Sequence, residues 1–95
     1  MALVNPNGTD VHFVASGLQP LPPGQIYELW LLPPTQGAVP VAAGTFTADA
    51  SGNARHDARA PSTLNQFAGV AVSVEQAPGL TTGPPKGPVV MVGQY

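Results

Sequence analysis

Eight consecutive residues, Gln25–Leu32 (QIYELWLL), are largely apolar on both alternating faces of an extended chain and include the only tryptophan. The proline pairs Pro22-Pro23 and Pro33-Pro34 flank this segment. Proline fixes φ and has no N–H to donate, so the pairs end the pattern on both sides. A strand that is apolar on both faces is usually covered on both faces. The segment therefore predicts a strand in the middle of a sheet, around which the rest of the fold is built.

The composition limits both the size of the fold and the kinds of partner. Ninety-five residues predict a single domain, here residues 1–95. Without cysteine, no disulfide supplements the core and no thiolate binds a metal. Only 8% of the residues are charged, against about 25% in a typical soluble domain. Three basic residues cannot form the positive surface that nucleic-acid binding needs. No apolar run approaches the roughly 20 residues of a membrane-spanning helix, so we expect no membrane insertion of this segment.

Short apolar runs separated by 11 glycines and 12 prolines predict an all-β fold. A helical turn is predicted only within 60–68. Six or seven short, mostly antiparallel strands with long Pro/Gly-rich loops are typical of a small Ig-like β-sandwich. The predicted strands are 2–4, 10–16, 25–32, 39–47, 54–58, 67–75 and 89–92.

The predicted core combines the alternating apolar positions of these strands. In the strand 67–75 the valine side faces the core. Tyr27 and Trp30 are three positions apart and point to opposite faces of a regular strand; we expect Trp30 to be a core residue. The predicted structural core is Leu18, Tyr27, Leu29, Trp30, Phe46, Val70, Val72 and Val74.

The residues that could carry chemistry form no convincing catalytic or metal set. His12 and His56 are the only imidazoles, and a metal site usually needs three or four converging ligands. We interpret both as exposed strand residues. Glu28 and Glu75 could be paired carboxylates of a glycosidase, but on strands they are more often hydrogen-bonded or edge groups. If Glu28 is buried, its pKa rises. We predict a non-enzymatic protein with no cofactor and no metal.

Several short motifs, in order over residues 17–93, carry a resemblance to a known family. They are GLQPLPPG (17–24), YELWL (27–31), VAAGTF (41–46), DASG (49–52), VAVSVE (70–75) and GPP to PVVM (83–91). Their order resembles the C-terminal, extracytoplasmic domain of the RskA-type anti-sigma factors, the anti-sigma-K family. The loop 76–85 matches the family pattern only in part. The sigma-binding helical domain and the membrane helix of that family have no counterpart here. We therefore expect a domain excised from a longer, membrane-anchored protein.

The resemblance implies a function. It implies a non-enzymatic sensor or regulatory domain on the extracytoplasmic face of the cell membrane, which gates regulated proteolysis of an anti-sigma factor and release of its sigma factor. The implied protein partner is a site-one-type protease or the protein's own membrane-proximal segment. The alternative is a secreted or surface-exposed binding or adhesion module for saccharide or protein.

Two further expectations concern surfaces. The long loop 76–88 is expected to be mobile and is the candidate interaction loop, with Gln76, Leu80, Thr81 and Lys86 as its contact residues. Low charge together with exposed strand edges also makes a homodimer by edge pairing possible.

Overall fold

The computed structural model describes residues 2–4, 7–80 and 83–94. Within these residues the chain forms seven strands and one short 3-10 helix, which confirms the predicted all-β fold. The elements in chain order are β1 (Ala2–Val4), β2 (Asp10–Ala15), β3 (Gln25–Leu32), β4 (Val41–Phe46), β5 (Ala54–Arg59), the 3-10 helix Leu64–Gln66, β6 (Gly69–Gln76) and β7 (Val89–Gln94).

The strands form two antiparallel sheets. The small sheet has the order β1-β2-β5 and the large sheet has the order β4-β3-β6-β7. Together they make the predicted β-sandwich. The tryptophan-bearing strand β3 is interior, between β4 and β6. The observed bounds of β1 and β3 are those predicted, whereas the predicted bounds of the other five strands differ at their ends.

The hydrophobic core lies between the two sheets. On β2 the buried residues Val11, Phe13 and Ala15 alternate with exposed ones, as expected for a strand with one covered face. Phe13 and Tyr27 approach the ring of Phe46 with centroid distances of 5.6 Å and 5.7 Å. Each fully buried side chain of this kind stabilises the fold by about 1.5–3 kcal/mol.

The edge strand β4 carries an irregularity in its pairing with β3. The register shifts between Glu28 and Trp30, and Gly44 opposite this point has φ of 98°. A Cβ at Gly44 would lie 2.8 Å from Nε2 of His56. A larger residue is therefore disfavoured both by the positive φ and by contact with the imidazole. His56 is half-buried, with Nε2 2.8 Å from the carbonyl oxygen of Ala43. The expectation of an exposed histidine is therefore wrong for His56.

The predicted core residues take two different places. Leu18, Tyr27, Leu29, Phe46, Val70 and Val72 lie in the core between the sheets, and Val74 is half-buried against it. Trp30 is fully buried but is not in that cluster. Because Leu29 and Leu31 point inward, Trp30 lies on the outer face of the large sheet. The outer face therefore has a cover of its own.

Candidate functional site

Three polar residues are buried on the outer face of the large sheet. Glu28, Ser73 and Glu75 are 1%, 0% and 3% exposed. Strand alternation places Glu28 with Trp30 on β3 and Ser73 with Glu75 on β6, and Glu28 is directly opposite Ser73 in the register. Polar groups on an outer sheet face normally meet water, so their burial requires partners.

A hydrogen-bonded chain links the tryptophan to one of the carboxylates. Trp30 Nε1 donates to Ser73 Oγ over 2.8 Å, and Ser73 Oγ donates to Glu75 Oε2 over 2.5 Å. The serine hydroxyl thus serves as acceptor and donor at the same time. Within the described ranges, no buried side-chain nitrogen or oxygen lacks a partner. The cluster is a satisfied polar network, which rigidifies its surroundings.

Residues 77–88, here called the covering loop, supply the remaining donors. The N–H of Leu80 donates to Glu28 Oε1 over 2.7 Å. The N–H of Lys86 donates to Glu75 Oε1 over 3.3 Å, and that of Gly87 lies 3.1 Å and 3.2 Å from Oε1 and Oε2. The two carboxylates therefore hold the loop at two places. Hydrogen bonds to charged groups are stronger than neutral ones.

Two glycines allow the covering loop to approach the sheet closely. Gly79 has φ of 94°, and a Cβ there would lie 2.5 Å from Cγ2 of Thr45 and 3.2 Å from Glu28 Oε1. A Cβ at Gly87 would overlap the carbonyl oxygen of Val74. The backbone N–H of Val74 in turn donates to the carbonyl oxygen of Pro88 over 3.0 Å. The loop is thus packed against the sheet at both of its described ends.

The electrostatics of the site centre on Glu28. Burial raises the pKa of this carboxyl above its ordinary value of 4.5. The N–H of Leu80 opposes the shift because it stabilises the charged form, and the negative charge of Glu75 adds to it. Glu28 therefore takes up a proton more readily than a carboxyl group in water does.

The predicted interaction residues are placed differently from one another. Gln76 is exposed at the end of β6. Leu80 is half-buried and binds Glu28 through its backbone, whereas Lys86 has an exposed side chain and binds Glu75 through its backbone. Thr81 lies outside the described residues. The segment expected to be mobile is anchored by backbone hydrogen bonds over its described parts.

Sequence reasoning identified Glu28 and Glu75 as strand acids but did not bring them together with the loop. One signal was available: both stand on apolar strands in a chain with only five acids. The glycines at 79 and 87, in a segment that follows the second acid, were a second signal. Neither signal predicts which backbone N–H group binds which carboxylate, because the pairing depends on the path of the loop.

The described residues contain no group of three or more His, Cys, Asp or Glu arranged to hold a metal ion. His12 instead forms an exposed pair with Asp57, with Nδ1 2.8 Å from Oδ1. In the same ranges, no helix has the length and apolar character needed to cross a membrane.

These features define a class: an all-β sandwich domain whose outer face is closed by a loop held on two buried carboxylates. Comparison with protein families gives the assignment. The family model described as "Anti-sigma-K factor rskA, C-terminal" matches residues 1–89, and the chain belongs to this family. The matched range includes Glu28, Glu75 and the whole covering loop. The family is that of a regulatory domain of anti-sigma factors. No curated protein and no solved structure is significantly similar to this chain.

Proposed function

We propose that these residues form one domain of a longer, membrane-anchored anti-sigma factor and act there as a non-enzymatic, extracytoplasmic sensor and regulatory domain. In this proposal the domain gates regulated proteolysis and thereby release of the sigma factor. The observation that carries it is the family match over residues 1–89. The partner is a site-one-type protease or the membrane-proximal segment of the same protein.

The proposed mechanism is steric. Endoproteases take their substrates as extended segments that lie in a cleft. A folded body measuring 36 × 24 × 18 Å is too large to enter such a cleft and keeps the protease away from the segment beside it. Loss of the folded state, or engagement by a ligand that moves the domain, would open access to the cut. The sandwich acts as a block and needs no chemistry of its own.

The arrangement of the two buried acids favours a non-enzymatic role. In a glycosidase, both carboxyl groups face the scissile bond. Here Glu75 accepts hydrogen bonds from one hydroxyl and two backbone N–H groups, and Glu28 accepts one from Leu80. The covering loop lies over both, so no substrate reaches them while the loop is closed. Their role in this proposal is to hold the loop.

The distribution of basic residues disfavours nucleic acid as a partner. Of the three, Arg59 is engaged with Asp10, with Nε 3.4 Å from Oδ1. Arg55 and Lys86 remain, on β5 and on the covering loop. A nucleic-acid interface needs a cluster of positive side chains on one face. A protein partner that recognises shape and neutral polar surface fits this domain better.

The test replaces the domain within the full-length parent protein in its own cells. One variant carries a flexible linker in place of the domain, and a second carries an unrelated folded domain of similar size. The readouts are a reporter of sigma-dependent transcription and an immunoblot of parent fragments. We expect constitutive cleavage and high reporter activity with the linker, because the block is gone.

The second variant separates steric blocking from specific sensing. With the unrelated domain we expect low reporter activity that no longer responds to the natural inducing condition. Unchanged cleavage and unchanged reporter activity in the linker variant would contradict the proposed gating.

A further inference from the structure

Residues 77–80, here called the flap, begin the covering loop and close over one of the two buried carboxylates. A turn forms the flap, with the N–H of Gly79 donating to the carbonyl oxygen of Gln76 over 2.8 Å. The N–H of Leu80 then donates to Glu28 Oε1 over 2.7 Å, and a Cβ at Gly79 would lie 3.2 Å from the same oxygen. An uncovered outer face of an antiparallel sheet is solvated, so opening of the flap would return the Glu28 carboxyl to water.

Glu28 forms no ion pair within the described part of the chain. The charged side chain that shares its face of the large sheet is Glu75, on β6, which adds a negative charge. On the other side β4 places the uncharged Thr45 opposite Glu28, and the flap (APGL) has no titratable side chain. Lys86 has an exposed side chain and binds Glu75 through its backbone, and His56 stacks on a ring of the core, away from the outer face. An ionised Glu28 is therefore buried beside a like charge, which is costly.

The protonation of Glu28 and the closing of the flap are thermodynamically linked. Burial raises the pKa of Glu28 above 4.5, the Leu80 N–H opposes the shift and the Glu75 charge adds to it. With the flap open the carboxyl is solvated and its pKa lies nearer the ordinary value, so the closed form binds the proton more tightly. A protonated carboxyl keeps an oxygen that accepts the N–H of Leu80. The closed form is therefore favoured at low pH, and this preference is lost as pH rises through the pKa of the closed form.

We propose that the flap is a pH-sensitive closure, in which proton uptake by Glu28 tightens the flap and proton loss loosens it. The opening is local, because it breaks the contacts of the flap and leaves the two sheets and their core in place. The N–H of Ala77 donates to the carbonyl oxygen of Gly24 over 2.9 Å, so the flap opens about this end. The closure belongs to the domain itself and does not depend on the proposed gating of proteolysis.

The test is amide hydrogen exchange of the 95-residue chain between about pH 4 and pH 8. The exchange rate of an unstructured peptide at each pH, divided by the measured rate, gives the protection of the Leu80 amide. We expect this protection to fall at least about threefold as pH rises, because ionised Glu28 favours the open flap. The opening free energy of Leu80 should also be smaller than the free energy of unfolding measured by urea at the same pH. Equality of the two would overturn the local opening, since Leu80 would then exchange only through global unfolding.

Two variants identify the titrating group. Glu28→Gln keeps an acceptor for the N–H of Leu80 but takes up no proton in this range, so its Leu80 protection should not vary with pH. Asp10→Asn is the control, because Asp10 is an exposed acid on the other sheet, and it should keep the fall seen in the wild type. Wild-type protection that is independent of pH would overturn the proposal, whether or not the variants fold. A fall of equal size in the wild type and Glu28→Gln, or loss of the fall in Asp10→Asn, would overturn it as well.

Discussion

Glu28 and Glu75 lie diagonally across the paired strands β3 and β6, on one face, and both accept backbone N–H groups from the same loop. Taking two carboxylates out of water is costly unless hydrogen bonds compensate for the loss. The covering loop supplies these bonds, and the carboxylates in turn determine where the loop lies. The packing of the covering loop on the outer face therefore depends on Glu28 and Glu75, and substitution of either residue tests it directly.

Removal of the Glu75 carboxylate should destabilise the whole domain. Glu75→Ala leaves the hydroxyl of Ser73 and the N–H groups of Lys86 and Gly87 without their acceptor. We expect a loss of about 3 kcal/mol in the free energy of unfolding, measured by urea denaturation. Asp10→Ala is the control, since this exposed acid should cost no more than about 0.5 kcal/mol. Equal losses in the two variants would contradict the role of Glu75.

The hydroxyl of Ser73 can be tested separately. Ser73→Ala removes the acceptor of Trp30 Nε1 and the donor to Glu75 Oε2 at the same time. Both atoms are then buried without that partner, so we expect a loss of about 2 kcal/mol in stability. The only tryptophan lies in this cluster, and its fluorescence reports the same event. A native emission spectrum and unchanged stability in Ser73→Ala would count against the network.

Close backbone approach makes Gly87 irreplaceable. A Cβ there would overlap the carbonyl oxygen of Val74, whereas a Cβ at Gly93 meets nothing within 4 Å. Gly87→Ala should therefore lower the free energy of unfolding by about 2 kcal/mol or more. The matched variant Gly93→Ala should lie within about 0.5 kcal/mol of the wild type. Thermal unfolding of the two variants measures the difference. Equal unfolding temperatures would contradict the close approach of Gly87 to Val74.

Stability should fall as pH rises through the pKa of Glu28. Burial raises this pKa above 4.5, with the Leu80 N–H opposing the shift and the Glu75 charge adding to it. The folded state therefore binds the proton more tightly than the unfolded chain does. The contribution of this group to stability is fully present below the unfolded pKa, and it is lost as pH rises through the folded pKa.

Glu28→Gln isolates this contribution because glutamine does not titrate and keeps an acceptor for the N–H of Leu80. As pH rises above about 4.5, the free energy of unfolding of Glu28→Gln should increase relative to that of the wild type. Urea denaturation at several pH values measures the difference. A difference between Glu28→Gln and wild type that is independent of pH would contradict the raised pKa.

The sequence predicted the central position of β3, because a strand with apolar residues on both faces is usually covered on both faces. It also predicted that Tyr27 and Trp30 point to opposite faces, since strand alternation is a local rule. The place of Trp30 was not predictable in the same way. Burial of an outer sheet face depends on a loop from elsewhere in the chain that packs over it. The alternation of side chains along β3 does not predict whether such a loop is present.

The candidate site was partly predictable for the same reason. Glu28 and Glu75 were interpreted as sheet-edge or hydrogen-bonded structural groups rather than catalytic ones, because they are two of only five acids in the chain. Apart from the hydroxyl of Ser73, their donors are backbone N–H groups, which every residue except proline carries, so the residue types in 77–88 do not indicate which N–H group meets which carboxylate. The register of β3 on β6, which sets the two acids diagonally on one face, also emerges only from the assembled sheet.

The closed covering loop is tested most directly by amide hydrogen exchange at Lys86 and Gly87 in the wild type and in Glu75→Ala. In the wild type we expect both amides to exchange far more slowly than in an unstructured peptide, because Glu75 accepts them. In Glu75→Ala they should exchange rapidly, while the amide of Leu18, bound to the carbonyl oxygen of Gly52, stays protected. Exchange of Lys86 and Gly87 at the unstructured rate in the wild type would contradict the account.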